Sequence, residues 1–277
     1  MYAACFIILT LVLFVVAYPL YWVIISSISA PSAVSSGKVL LHPIGFTLKG
    51  YAEVFKNDQV MRGFLNSLII TFCGVMVNLI VTLPTSYALS RSNFSGKKPI
   101  TIFYLITMFF GGGLIPTYLV IQRLQMLNTI WALILPGCLS VYNMIVARTF
   151  FKSNISEELY EAAEIDGCTQ ARFFFQIALP LSKAIIAILV LYYGVGHWNS
   201  YFSALVYISD KAKYPLQLVL RNILITNQTA LSQTATTAAA RAALQEKQQL
   251  IDVMKYSLII ISSIPVLVMY PWCRSTL

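Results

Sequence analysis

The sequence predicts an all-α integral membrane protein with about six transmembrane helices, and three observations predict it. First, of 277 residues 58% are hydrophobic and 10% charged, with a mean hydropathy of +0.75. Soluble chains run about 45–50% apolar and about 25% charged, and a soluble domain of this length has no interior large enough for so much apolar surface. Second, the apolar residues come in long runs. A bilayer core about 30 Å thick needs roughly 20 residues of helix, and six segments supply that length. Third, the charges avoid those runs: no Asp, Glu or Lys lies inside them, and Arg148 sits at an edge.

In order, the expected spans are residues 2–25, 64–89, 100–121, 129–151, 184–208 and 256–272. The first has no positive n-region and no good cleavage site, so it reads as an uncleaved span and not a signal peptide. The span interiors hold Pro19, Pro84, Pro116, Pro136 and Pro265 and the run Gly111-Gly112-Gly113. Such residues break or kink helices and are tolerated where neighbouring helices cover the freed backbone. The expected architecture is therefore a set of bent helices around a path.

The formal net charge is +9. The basic residues are scattered over loops, with no run longer than Lys97-Lys98, so a nucleic-acid partner is not expected and the lipid bilayer is. The loop Arg91-Ser-Asn-Phe-Ser-Gly-Lys97-Lys98 carries three basic residues and no acid, which places it in the cytoplasm. Six spans then put both termini and the segment 152–181 on the cytoplasmic side, with long external loops at 27–62 and 209–255. Those external loops carry ten basic residues, but long loops translocate largely regardless of charge. The stretch 226–249, rich in Ala, Thr and Gln, reads as a flexible or weakly helical external insert. Five cysteines (Cys5, Cys73, Cys138, Cys168 and Cys273) lie far apart with no CxxC and no Cys/His cluster, so neither a metal site nor a disulfide framework is expected.

Five of the ten acidic residues fall between Glu157 and Asp166. Ser156 has the form of an N-cap, with Glu157 and Glu158 in the first turn where the helix dipole favours acids. Glu158 to Ile165 are good helix formers, Ala162 and Ala163 are small enough to let another surface approach, and Gly167 ends the run as a C-terminal glycine does. A second, apolar helix resumes from Ala171 to Ala178, and Leu179-Pro180 stops it before the next span. On physical grounds this is either an amphipathic interface helix or a docking element.

The spacing of Glu161, Ala162, Ala163, Gly167, Ile177, Leu179 and Pro180 is similar to the EAA signature loop of the membrane subunits of bacterial ABC importers, with every fixed position matched. The rest of the chain, from about Tyr18 to Pro271, resembles the maltose-permease-like, carbohydrate-uptake branch. The matching blocks are Tyr18-Pro-Leu20, Asn66-Ser67, SYALSR at 86–91, GGLIPTYL at 112–119, LNTIWALILPG at 127–137, GHWNSYFSAL at 196–205 and YPLQLVLR at 214–221. The flanking blocks look closest to the subgroup for oligosaccharides and polysaccharide fragments.

The resemblance implies a division of labour. The chain would pair with a second, homologous permease subunit, and two copies of a cytoplasmic ATPase would supply the energy, binding ATP and Mg themselves. An extracellular or periplasmic binding protein would deliver the sugar. Glu161, Ala162, Ala163, Asp166, Gly167, Ile177, Leu179 and Pro180 would form the cytoplasmic coupling-helix loop, with Glu161 pairing with a basic group of the ATPase. This chain itself would bind no cofactor and would not be an enzyme. Relatives carry a polar tail before the first span and an aromatic, basic tail after the last Tyr-Pro; this sequence has neither, and so reads as shortened.

Polar side chains inside spans are costly unless paired or facing a cavity. Asn66, Asn78, Asn143, His197, Trp198 and Asn199 are therefore candidates for a sugar path, with Trp198 stacking on a sugar face and Asn199 donating hydrogen bonds. The competing reading is polar bonding between helices. Gly111–Gly113 lacks the Lys-Ser/Thr that follows a phosphate loop. Two other functional classes fit the sequence less well. A stand-alone secondary transporter or channel usually relies on membrane-buried acids for ion coupling, and none appear. A membrane enzyme would need a His/Glu metal pair, a GxSxG or paired carboxylates within the spans, and these are missing.

Overall fold

The structure is a computed structural model that describes residues 2–229 and 238–276. No strand occurs among them. The α-helices, in chain order, are α1 (Tyr2–Ser27), α2 (Pro31–Ser35), α3 (Lys49–Lys56), α4 (Asp58–Ser90), α5 (Lys97–Phe109), α6 (Leu114–Arg123), α7 (Trp131–Ile134), α8 (Val141–Asn154), α9 (Glu157–Ile165), α10 (Gln170–Phe173), α11 (Leu179–Leu181), α12 (Lys183–Trp198), α13 (Tyr201–Tyr207), α14 (Leu216–Thr229) and α15 (Ala238–Thr276). A π-helical turn, Phe174–Ala178, joins α10 to α11.

Three helical stretches, Cys5–Ser27, Asp58–Ser90 and Gln248–Pro271, are each long and apolar enough to cross a membrane, and three bent pairs bring the number to six if each pair is one span. The bends fall where the backbone leaves helical geometry. α5 and α6 meet at 113°, across Phe110 and the three glycines. The stretch Trp131–Gly137 meets α8 at 51°, and Gln170–Leu181 meets α12 at 80°. The segment expected as one span at 184–208 is interrupted after Trp198 and resumes at Tyr201.

Only some of the prolines mark bends: Pro136 lies in the short 3-10 turn Leu135–Gly137 ahead of the 51° bend, and Pro116 lies in the first turn after the 113° bend. Pro19 and Pro84 lie inside unbroken helices, and Pro265 lies within α15. Leu179-Pro180 does not itself end the apolar helix: the π-helical turn runs straight into α11, and the helix ends at Ser182, just before the 80° bend. The expected external loops also hold helix: α2 and α3 in 27–62, α14 and the start of α15 in 209–255. Of the Ala/Thr/Gln-rich stretch, 226–229 and 238–249 are helical, and 230–237 lie outside the described residues.

The chain divides into two compact units. In the unit formed by Met1–Leu65 and Tyr214–Pro265, a small apolar cluster of Ile25, Ala33, Val34, Val39 and Val253 ties the end of α1 to α2 and α15. Trp22 closes it. Its indole N–H donates to the Val39 carbonyl at 2.8 Å, and its ring meets Tyr256 edge-on at 5.1 Å. Before this anchor, α1 exposes Phe6, Leu9, Leu13 and Phe14, as suits a helix whose solvent is hydrocarbon.

The unit formed by Asn66–Lys213 and Val266–Leu277 has a larger core. Leu83 and Tyr87 of α4, Ala147 and Phe151 of α8, Tyr160 and Ala163 of α9, Phe173 and Phe174, and Ile185, Leu189 and Tyr193 of α12 all belong to it. This core holds α9 against the end of α4.

Candidate functional site

Helix α9 forms where its local sequence dictates. Ser156 takes an extended conformation and its Oγ accepts a hydrogen bond from the Leu159 amide at 3.3 Å, which satisfies one of the otherwise unpaired N–H groups of the first turn. Glu157 and Glu158 occupy that turn. At the other end Gly167 has φ +76 and its amide donates to the Glu164 carbonyl at 3.0 Å, while the Cys168 amide reaches back to the Ala163 carbonyl at 2.9 Å. Left-handed geometry after a helix is what glycine supplies without strain. Thr169 then caps α10, its Oγ1 accepting from the Arg172 amide.

The helix has two unlike faces. Tyr160 and Ala163 are buried in the core of their own unit, whereas Glu158, Glu161, Ala162, Glu164, Ile165, Asp166 and Gly167 are exposed. Ile165 is 87% exposed, a large apolar side chain among four carboxylates. The two alanines thus separate: Ala162 lies on the outer face, and Ala163 packs inward against the chain's own aromatic core. Of the later motif residues, Ile177 and Leu179 are half-buried against that core and Pro180 is exposed. No carbon added at Gly167 would meet another atom within 4 Å.

A second set of polar groups faces inward. Along α4, Asn78, Thr82, Ser86 and Ser90 recur every fourth residue and all are buried, so they form one stripe down the helix. Asn78 donates to the Gly137 carbonyl at 2.8 Å, and its Oδ1 lies 2.7 Å from His197 Nε2. The Thr82 hydroxyl bonds the Tyr193 hydroxyl at 2.8 Å, Tyr193 in turn accepts from the Ser140 amide, and Ser86 donates to the Met144 carbonyl. At the end of the stripe, Arg148 Nε donates to the Leu89 carbonyl at 3.0 Å. In the sequence Asn78 and His197 stand out separately, each as a polar residue inside an apolar span. The stripe was legible as a spacing of four, but each Ser or Thr taken alone looks unremarkable in an apolar run.

The six candidates for a sugar path do not come together as one polar wall. Asn78 and His197 bond each other. Trp198, expected to stack on a sugar, is 2% exposed, its ring enclosed by the fold. Asn143 is buried at the start of α8. Asn66 Nδ2 donates to the Ala212 carbonyl at 2.8 Å, and Asn199 Nδ2 to the Val195 carbonyl at 3.0 Å. These are the geometries of helix-to-helix and helix-end bonding. Asn199 alone of the six is an exposed residue.

Comparison with known proteins gives this architecture a context. The family of binding-protein-dependent transport system inner membrane components matches residues 55–245. The polygalacturonan/rhamnogalacturonan transport system permease protein YtcP of Bacillus subtilis (strain 168) is 35% identical over 256 residues, which cover 92% of this chain and 87% of that protein. Protein LplC of the same organism is 37% identical over 256 residues, 92% of this chain and 84% of its own length. The crystal structure of a bacterial ABC transporter involved in the import of the acidic polysaccharide alginate includes a chain that superposes with a TM-score of 0.87 at 26% identity, covering 99% of this chain and 95% of that one. With more than half of its length matched and relatives above 30% identity, the chain belongs to the family of inner membrane components of binding-protein-dependent transport systems.

Proposed function

We propose that this chain is the permease subunit of an ABC importer that moves an oligosaccharide released from a larger polysaccharide across the cytoplasmic membrane. ATP is hydrolysed by two copies of a separate cytoplasmic ATPase, which bind ATP and Mg, while this chain binds neither. A second, homologous permease subunit completes the path, and a binding protein outside the membrane delivers the sugar. The segment 152–181 and both termini face the cytoplasm. The sugar class rests on the similarity to a polygalacturonan/rhamnogalacturonan permease and to a chain of an alginate importer.

The observation that carries this reading is helix α9. It is capped at both ends, buried on one face by its own chain and open on the other, where Glu158, Glu161, Ala162 and Ile165 lie exposed. An exposed apolar side chain ringed by carboxylates fits a partner groove with an apolar floor and a basic rim. Glu161 pairs with a basic group of the ATPase. Gly167 keeps the chain from projecting past the helix end into that groove, and Asp166 at the C-cap adds to the acidic rim. Closure of the ATPases on ATP displaces α9, and the core around Tyr160 and Ala163 passes the displacement to the spans. Within the spans Asn199 is the path residue we favour, because its side chain is open; Asn66, Asn78, Asn143, His197 and Trp198 support the wall by holding helices together.

The test is a detergent pull-down of this chain co-expressed with a partner permease and a sugar-importer ATPase, alongside a Glu161→Ala, Gly167→Asp double variant. Retention of the ATPase by the native chain and its loss from the variant supports docking through α9. Equal binding to both, or to neither, overturns it.

A further inference from the structure

Arg91 is the first residue beyond α4, and its guanidinium sits at the junction of α4 and α9. It stands over the Tyr160 ring at 4.3 Å, with the Tyr87 and Phe173 rings at 5.7 and 5.9 Å. Its Nη2 lies 3.5 Å from Glu157 Oε1, and the Ser92 hydroxyl donates to the same carboxylate oxygen. The Arg91 carbonyl accepts from Lys97 Nζ at 3.2 Å, which ties the other side of the turn to α5. The side chain is only 12% exposed. A guanidinium buried to this degree, paired with a carboxylate and stacked on aromatic faces is held by direction-dependent contacts that a Lys does not reproduce.

Beside this stack lies a cavity of about 390 Å³, lined by Pro84, Tyr87, Arg91, Tyr160, Phe174 and Phe175. The junction is therefore not a continuous close-packed wall. A push on α9 reaches the end of α4 through two routes: the aromatic contacts of Tyr160 with Phe173 and of Phe173 and Phe174 with Tyr87, and the bridge from Glu157 and Tyr160 through Arg91. The rings of Tyr87, Tyr160 and Phe174 border the hollow, as Arg91 does, whereas Phe173 is fully buried. Arg91 differs from the rings in that its guanidinium is also tied to α9 by the Glu157 carboxylate, in addition to its stack on Tyr160.

We infer that Arg91 is the positioning residue that transmits displacement of α9 to the span α4, so that its loss uncouples ATP hydrolysis from transport while leaving ATPase docking intact. The inference rests on the docking role proposed for α9. Arg91 lies on the inner side of α9, and the rings it stacks on, Tyr87, Tyr160 and Phe173, are buried. Glu157 is the one contact whose side chain is partly exposed, at 42%, so docking and transmission separate most cleanly at Arg91 itself.

The experiment uses the full complex in liposomes: this chain, its partner permease, two ATPase subunits and the binding protein. Uptake of tritiated oligogalacturonides of two to four units is measured together with ATP hydrolysed in the same vesicles. Arg91→Ala should retain the ATPase in the purified complex and lower the uptake-to-hydrolysis ratio at least tenfold, with Arg91→Lys intermediate because it restores the charge but not the planar stack. Glu157→Gln, which keeps an acceptor for Ser92 and loses the ion pair, should lower the ratio about threefold, and it decides the matter if Arg91→Ala fails to assemble. A native ratio in an assembled Arg91→Ala complex, or in Glu157→Gln where Arg91→Ala does not assemble, overturns the inference and leaves docking standing. Failure of the native chain to retain the ATPase overturns both.

Discussion

The polar residues of α9 and those of α4 answer opposite demands. On α9 four carboxylates and Ile165 are turned out of the fold, and the inward Tyr160 and Ala163, with the Glu157 contact to Arg91 and Ser92, hold the helix in place. On α4 the polar side chains of Asn78, Thr82, Ser86 and Ser90 are turned in, and those of Asn78, Thr82 and Ser86 bond to α8, α12 or the segment between α7 and α8. The difference separates two uses of polarity in a membrane protein. Outside the bilayer, exposed charge costs nothing and offers a partner something to recognise. Inside it, a polar atom without a partner costs free energy, so the same chemistry serves helix packing. Substitutions on α9 should accordingly alter function at constant stability, and those on the stripe should alter stability first.

The sharpest way to break that contrast is Gly167→Asp. The added side chain meets nothing within 4 Å in this chain, and Asp tolerates the left-handed φ better than most residues. The variant is expected to insert at native levels, with the strain costing about 1 kcal/mol, while uptake falls at least tenfold because the new group projects into the docking interface. Quantitative blots of membrane fractions paired with uptake assays measure both. Native uptake would remove Gly167 from the docking element, and loss of the protein would make the outer face structural after all.

The second test strikes the inner face. A Cβ at Gly74 would lie 2.5 Å from His197 Nε2 and within 2.7 Å of two further ring atoms. Gly74→Ala therefore forces the imidazole away from Asn78, adding overpacking to a lost hydrogen bond. A destabilisation of about 1–3 kcal/mol is expected, read as a lower melting temperature of the detergent-solubilised chain, with ATPase retention unchanged per folded molecule. An unaltered melting temperature would show that His197 relaxes freely and that the bond to Asn78 is not structural.

How much of this was legible in the sequence follows the same division. The bounds of α9 are set by local chemistry, Ser156 at one end and Gly167 at the other, so a linear reading finds them. The existence of six apolar segments is equally local. The bends are less so: Pro84 leaves α4 unbroken while Gly111–Gly113 turns the chain by 113°, because a proline loses one hydrogen bond that neighbours cover, whereas three glycines free the backbone over a whole turn. The fate of Trp198 was not legible, since hydropathy says a residue lies in a span but not which face it occupies. Arg91 looks like a loop charge in the sequence, yet it reaches Glu157 across 66 positions, and no spacing rule reports such a contact.

The smallest expected effect probes the stripe where its bonding fails. Thr71 lies on α4 one turn before Val75; it is buried, and its hydroxyl has no partner in the fold described. If inward polarity serves only to bond helices, this hydroxyl contributes nothing and its desolvation is a net cost. Thr71→Val keeps the shape and removes the polar atom, so the melting temperature should stay level or rise, by an amount corresponding to less than about 1 kcal/mol. A clear loss of stability in the isolated chain would mean that Thr71 bonds a neighbour there. A loss that emerges only in the assembled complex would place an acceptor on the second permease subunit, and this end of the stripe would then belong to the outward-facing class with α9.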